Sequence, residues 1–425
     1  MKKRVVITGL GVVAPNGVGV NDFTKAIQNG TSGIEHYPLL ADLNFSCQIG
    51  GIPKITEEIK KKYLTNLQLR NFNSNAILYG IIAGMDAIHD AGIKPSKTDE
   101  VPLWGLGIVF GAGNSSANKY RESIYKIDEG NVRRLGSTAV LQTMSSGVSA
   151  YLAGMLGAAN QITTNSSACA TGTEAVLLGY ERITSGKATQ MLCGSTSDDG
   201  PYIWGGFDAL KVITYKHNDS PTKGSRPMSS TASGFVPGSG AGALLLETLE
   251  SAQKRGAKIY AEVLGGHINS GGQRQNGSMT APNSEAVKRC ISQALKDASL
   301  HPDEIDCING HLTATIKDAT EINNWTEALN RKGTNFPYIN SLKGMVGHCL
   351  AASGSIECVS AVLQLDKGFV FPNINCEDIH PEIKALIAEK SIPRTLVQEP
   401  IKTIAKASFG FGDVNACVIF RKNKT

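Results

Sequence analysis

Short β-branched runs alternate with helical stretches along the whole chain, and this alternation restricts the fold to the α/β class before any motif is considered. Strand character concentrates at residues 4–9, 106–111, 190–194, 241–247, 259–265, 307–309 and 416–420. Apolar positions at helical spacing mark residues 74–91, 137–157, 173–185, 284–298, 319–330 and 351–364. An internal echo divides the pattern. Gly234-Phe235-Val236-Pro237-Gly238-Ser239-Gly240 leads into one apolar strand, and Phe409-Gly410-Phe411-Gly412-Asp413-Val414-Asn415 leads into another. A glycine-rich loop feeding a final strand, once per half, predicts two similar halves. The polar break Lys254-Arg255-Gly256 sets their boundary, giving units of 1–252 and 253–425.

Composition excludes several classes. The chain has 425 residues, 41% hydrophobic and 19% charged, which is ordinary for a globular protein with room for two core units. A net charge of +5 is too diffuse for nucleic-acid binding, but it suits an acidic partner. Nine cysteines show no CxxC pair, which argues against a disulfide framework or a metal site and for a reducing cytoplasm. The start, Met1-Lys2-Lys3-Arg4-Val5-Val6-Ile7, is basic then apolar. Gly9 and Gly11 interrupt it too early for a signal peptide, so a first strand is expected. No segment approaches the roughly 20 apolar residues of a membrane span.

The residue most telling for chemistry is Cys169, in the run Asn165-Ser166-Ser167-Ala168-Cys169-Ala170-Thr171-Gly172-Thr173. A strand end precedes it and a helix follows. A thiol at such a turn meets unpaired backbone N–H groups and the positive end of the helix dipole, which favour thiolate and can hold an oxyanion. The alternative is an inert buried cysteine. Three further motifs lie in the second half. His311 sits in Asn309-Gly310-His311-Leu312-Thr313-Ala314-Thr315, after an apolar strand. Lys343 and His348 flank glycines in Ser341-Leu342-Lys343-Gly344-Met345-Val346-Gly347-His348. The Gly410-Phe411-Gly412 loop is the third. Each histidine alone reads as structural rather than catalytic, but with Cys169 they make a Cys/His/His set on glycine-flanked turns.

These four motifs, in this order and spacing, resemble the β-ketoacyl-acyl-carrier-protein synthases of the fatty-acid-elongating type, within the thiolase-like condensing enzymes. The resemblance runs from Arg4-Val5-Val6-Ile7-Thr8-Gly9 through Ser225-Arg226-Pro227 to the last strand. It implies a five-layered αβαβα sandwich and an acyltransferase. An acyl chain would pass from a carrier protein to Cys169. Malonyl-carrier protein would then lose carbon dioxide, and its carbanion would attack the acyl-cysteine to give a 3-oxoacyl carrier protein. The resemblance makes His311 and His348 the enolate-stabilising donors and Lys343 an electrostatic support, with Glu321 as the salt-bridge partner of that lysine. It assigns Phe411 to the oxyanion hole and to a gate, and Thr313 and Thr315 to binding the phosphopantetheine arm. No cofactor is implied beyond that arm, which arrives on the carrier protein. A homodimer, or a heterodimer with a homologue, is implied in the cytoplasm.

Several positions depart from the family pattern. Leu312 replaces a glycine, the loop Ile316-Lys317-Asp318 is one residue short and lacks a proline, and Asp413 and Val414 replace Gly-Thr after the gate phenylalanine. Leu312 and Asp413 are expected near the arm channel, where they would narrow it or fit it to a different acyl chain. Asn71 and Phe72 stand where the family carries a basic pair, leaving Arg70 and Lys60-Lys61-Lys62. Thr231-Ala232-Ser233-Gly234 replaces an Arg-Asp-Gly-type segment. Such departures point toward a specialised polyketide, polyene or lipid pathway. The competing readings are a chain-length-determining or binding subunit, a thiolase or chalcone-type synthase, and a cysteine hydrolase. The Cys/His/His set disfavours all of them.

Overall fold

The computed structural model describes residues 3–423. Met1 and Lys2, used in reading the N-terminus, lie outside the described residues, as do the last two residues of the second half. The first half runs β1 (Val5–Ala14), α1 (Asn75–Asp90), β2 (Leu106–Ala112), α2 (Gly147–Leu156), β3 (Ile162–Thr163), α3 (Thr171–Thr184), β4 (Gln190–Ser197) and β5 (Gly240–Thr248). The second repeats that order: β6 (Ala261–Ser270), α4 (Ser284–Asp297), β7 (Cys307–Asn309), α5 (Asp318–Leu329), β8 (Tyr338–Asn340), α6 (Ser353–Lys367), β9 (Thr403–Gly410) and β10 (Val414–Lys422).

Pairing follows the same rule in both halves. The orders β1-β5-β4-β2-β3 and β6-β10-β9-β7-β8 match strand for strand. β5 is antiparallel to β1 and β4, and β10 is antiparallel to β6 and β9. The remaining neighbours are parallel. β1 and β6 join the halves through Val5↔Val263 and Ile7↔Ala261. The 252/253 division falls within the short helix Leu249–Lys254.

Five layers result. α1, against β1, β5 and β4, and α2, against β2 and α1, cover one outer face; α4, against β6 and β10, and α5, against α4, cover the other. Between the sheets lie α3 and α6, packed on each other and on strands of both halves. This central layer has an apolar core, with Ala175, Val176, Ile356, Val359 and Val362 in one buried cluster with strand residues of both halves. Two close approaches hold it together. A Cβ on Gly172 would lie 2.2 Å from the Ser355 nitrogen, and one on Gly354 would lie 2.5 Å from the Thr173 nitrogen. Gly172 therefore serves helix contact.

Residues 137–157 do not form one helix. Ala139–Thr143 and Gly147–Leu156 are separate, with Met144 extended between them. Buried Gln142 explains the break: its Nε2 donates to the Asn71 carbonyl (3.0 Å) and its Oε1 accepts the Asn73 N–H (2.7 Å). The segment is thereby committed to another loop.

Candidate active site

Cys169 lies on the tight turn between β3 and α3. Ala168 takes φ +46°, a left-handed conformation that the turn imposes on the residue before the thiol. Asn165 Nδ2 donates to the Thr171 carbonyl and the Ser167 N–H donates to Thr171 Oγ1 (2.9 and 2.8 Å), which locks the turn. The backbone N–H groups of Phe411 and of Cys169 itself are directed at the sulfur. Burial pushes the thiol up to about 11, against the pull of Lys343 and those two N–H groups. The activation expected from the helix terminus is thus outweighed by desolvation, and the resting sulfur is a thiol.

The two histidines arrive from the second half. His311 follows β7, and His348 follows the single-turn helix Lys343–Val346 by way of Gly347, at φ +72°. His348 Nε2 is 3.1 Å from Cys169 Sγ. The sulfur and one nitrogen from each ring all lie within 4.8 Å of one another. The imidazoles are 5.5 Å apart, edge to face at 83°. The Leu350 N–H donates to His348 Nδ1 (3.1 Å), and Ser353 Oγ lies 2.9 Å from the same atom. An accepting Nδ1 leaves the proton of the neutral ring on Nε2, facing the sulfur. Burial, then Lys343, holds both histidines well below their ordinary value, so both rings are neutral. His348 is thereby a hydrogen-bond donor and not a base. Phe235 packs edge-on against His348, and Phe409 against His311.

Residues 2–252 match the family model for the beta-ketoacyl synthase N-terminal domain, and residues 260–377 match that for its C-terminal domain. The chain belongs to the beta-ketoacyl synthase family. It is 32% identical to the 3-oxoacyl-[acyl-carrier-protein] synthase I, chloroplastic, of Arabidopsis thaliana, over 99% of this chain and 86% of that one. It is equally 32% identical to the 3-oxoacyl-[acyl-carrier-protein] synthase 1 of Escherichia coli K12, over 99% of this chain and all of that one. Among solved structures, a type II PKS ketosynthase in complex with its acyl-carrier protein superposes with a TM-score of 0.87, at 30% identity and full coverage of both chains. The five-layered thiolase-like fold is therefore this family's.

Two cavities meet at Cys169. One, of about 380 Å³, is walled by His311, His348, Thr313, Thr315 and the loop residues Gln275 and Asn276. The other, of about 320 Å³, is walled by Gly113, Asn114, Ser197 and Ala351. Phe411, Phe207 and Leu350 line both, so the Phe411 ring stands on the partition beside the sulfur.

Glu321 does not pair with Lys343. The Lys343 ammonium meets Glu357, on α6. Glu321 instead accepts the backbone N–H groups of His311 and Leu312, both at 2.7 Å, and so supports the loop that carries His311. It stands at the start of α5, where capping a preceding loop is the shorter reach. Asp318 does the same for the next residues, accepting the N–H groups of Thr313 (2.9 Å) and Ala314 (3.1 Å). Nothing in the sequence separates these caps from a salt-bridge partner, because both demand only a buried carboxylate.

Leu312 and Asp413 do not narrow the cavity. Leu312 is buried in the outer core of the second half with Ile308, Ile322 and Trp325. Asp413 is fully buried at φ +61°, and its carboxylate accepts the N–H groups of Gln273 (2.9 Å) and Asn283 (2.8 Å). It ties the Phe411 hairpin to the loop that walls the larger cavity. In Glu57–Tyr63, Lys60 and Lys62 pair with Glu57 and Asp86, while Lys61 and Arg70 are exposed.

Proposed function

We propose that this chain is an active β-ketoacyl-carrier-protein synthase, with Cys169 as nucleophile and His311 and His348 as donors to the enolate. One observation carries this: a sulfur, a fixed Nε2–H and a second neutral imidazole converge from two halves of the chain within 4.8 Å. In the first step Sγ bonds to the carbonyl carbon of an acyl-pantetheine thioester and the carbon–sulfur bond to pantetheine breaks. The proton leaving Cys169 ends on the departing thiol, so none is gained or lost. The N–H groups of Cys169 and Phe411 hold the transient oxyanion.

Malonyl thioester then enters the larger cavity, where Thr313 and Thr315 offer hydroxyls to the arm. Its C–CO₂ bond breaks, carbon dioxide departs, and the electron pair forms an enolate whose oxygen meets the two imidazole N–H groups. Neutral donors suit this role, since they stabilise charge that develops only in the transition state. The enolate carbon attacks the acyl carbonyl, the bond to Sγ breaks, and the thiolate takes a proton from solvent. The smaller cavity holds the acyl chain, with Phe411 dividing it from the arriving malonyl group.

A chain-length-determining subunit would have no use for this donor cluster. Acidic carrier protein suits the basic face at Lys61 and Arg70. Exposed apolar residues, among them Ile124, Ile127 and Tyr125 on the surface helix Ala117–Asp128, suit a dimer. All nine cysteines are unpaired, which suits the cytoplasm. Among the described residues, no helix is long and apolar enough to cross a membrane. The two repeats serve as the units 1–252 and 253–425. Intact-protein mass spectrometry with acyl carrier protein tests the assignment. The parent protein, His311→Ala and His348→Ala gain the acyl mass, whereas Cys169→Ala does not. Both histidine variants lose release of carbon dioxide from malonyl-carrier protein. Acyl loading of Cys169→Ala, or full decarboxylation by both histidine variants, overturns it.

A further inference from the structure

Two lysines share one carboxylate in the central layer. Glu357, on α6, has its side chain 2% exposed, and its Oε1 meets the Lys343 ammonium. Its Oε2 has no aligned hydrogen-bond donor; its contact is the Lys406 ammonium, 2.9 Å away. Lys406 is fully buried on β9. Its ammonium also donates to Ser408 Oγ (2.9 Å) and to the Ala407 carbonyl. Ser408 Oγ lies 2.9 Å from Thr173 Oγ1, on the first turn of the helix that follows Cys169. A single Lys–Glu pair is neutral and its field falls off quickly. A second lysine leaves one uncompensated positive charge in a closed, low-dielectric layer.

Resting on the proposed roles of Cys169, His311 and His348, we propose that Lys406 is a positioning residue that gives this site a net positive charge. It occupies the second oxygen of Glu357, so the charge of Lys343 is not cancelled at the reacting atoms. The groups facing this cluster are Cys169, His311, His348 and Cys349 from the active-site loops, Glu321 from α5, Cys358 from α6 and Cys417 from β10. Burial holds the thiols of Cys358 and Cys417 up at about 12, so neither supplies a counter-charge. Both active-site histidines feel Lys343 and Lys406 as repulsive charges that oppose protonation. Cys169 feels Lys343 as an attractive charge and Glu357 as an opposing one, so a lysine that occupies Glu357 leaves the attraction for thiolate and enolate oxygen standing. A unit charge close to a reacting centre, at an effective dielectric of about 20, changes an acidity or a rate on the order of tenfold.

Charge counting tests this. Lys406→Met leaves a neutral Lys343–Glu357 pair; Lys406→Met with Glu357→Gln restores one positive charge; Lys406→Arg keeps it. The readouts are the pH profile of Cys169 alkylation by iodoacetamide and the decarboxylation of malonyl-carrier protein. Lys406→Met is expected to slow alkylation at pH 7 about tenfold and to move its midpoint up by about one pH unit. It is expected to lower kcat about tenfold with KM unchanged. Lys406→Arg and the double variant recover most of both losses. A double variant worse than Lys406→Met, or a Lys406→Met profile superimposable on the parent's, overturns the proposal. Should Lys406→Met not fold, Glu357→Gln alone, which adds a charge, moves the alkylation midpoint down; an upward move refutes the idea. Failure of iodoacetamide to label Cys169 in the parent would instead sink the nucleophile assignment.

Discussion

Asp413 offers the sharpest single perturbation. Its fully buried carboxylate accepts two backbone N–H groups, from Gln273 at 2.9 Å and Asn283 at 2.8 Å. These two residues bracket the loop whose Gln275, Asn276, Thr280 and Pro282 wall the larger cavity. Charge-assisted bonds of this kind contribute about 1.5–3 kcal/mol each, so the pair holds the loop by about 3–6 kcal/mol. Asp413→Gly removes both bonds, although glycine is at ease at φ +61° and returns about 1 kcal/mol. Asp413→Asn keeps one acceptor and sets an NH₂ against the other donor. Hydrogen exchange of the amides in 271–283 should accelerate about 30- to 4,000-fold in the glycine variant, and less in the asparagine variant. Exchange in β5 should not change. KM for malonyl-carrier protein should rise, because the cavity wall is no longer held. Unaltered protection of 271–283 in Asp413→Gly would refute the tether.

Four other outcomes are expected. Gly354→Ala drives a Cβ to 2.5 Å from the Thr173 nitrogen. Separating α3 from α6 should cost about 1–3 kcal/mol in denaturant titrations and, by shifting Cys169 against His348, about 100-fold in condensation kcat; a kcat like the parent's would show the contact to be slack. Both imidazoles are held well below 6.5, first by burial and then by Lys343, so decarboxylation should stay flat as pH falls through 6.5; an acid limb at or above 6.5 contradicts their neutrality. In stability, the unfolded chain takes up those protons first, so the histidine contribution is complete above 6.5 and is lost as pH falls below it. Glu321, raised to about 7 chiefly by burial, acts oppositely: its contribution is present below about 4.5 and lost as pH rises toward 7. Glu321→Gln should therefore steepen the loss of stability on acidification between 7 and 4.5. Finally, charge reversal at Lys61 and Arg70 should raise KM for carrier protein at low salt and matter less as salt is added; no effect at low salt places the docking face elsewhere.

Cys169, His311, Lys343 and His348 were legible because each sits in its own short motif, where glycines and a strand or helix end betray the local backbone. Partner choice was not. Glu321 and Glu357 are both buried carboxylates on helices of the second half, and only the packing of α6 against the Lys343 turn selects Glu357. Strand β9 went unread, since Lys406 and Ser408 look like surface residues until α6 supplies a carboxylate to the first and α3 a hydroxyl to the second. Asp413 read as an obstruction near the arm channel, because its amide partners lie some 130–140 residues away in sequence.

The alternation of strands and helices, the two-fold repeat and the identities of the sulfur and two imidazoles follow from the chain itself, because periodicity and turn chemistry act over a few residues. Which charge faces which, that the thiol rests protonated, and that His348 presents Nε2–H were decided by tertiary structure alone. Desolvation and long-range pairing depend on what surrounds a group in space, and residues remote in sequence supply those surroundings.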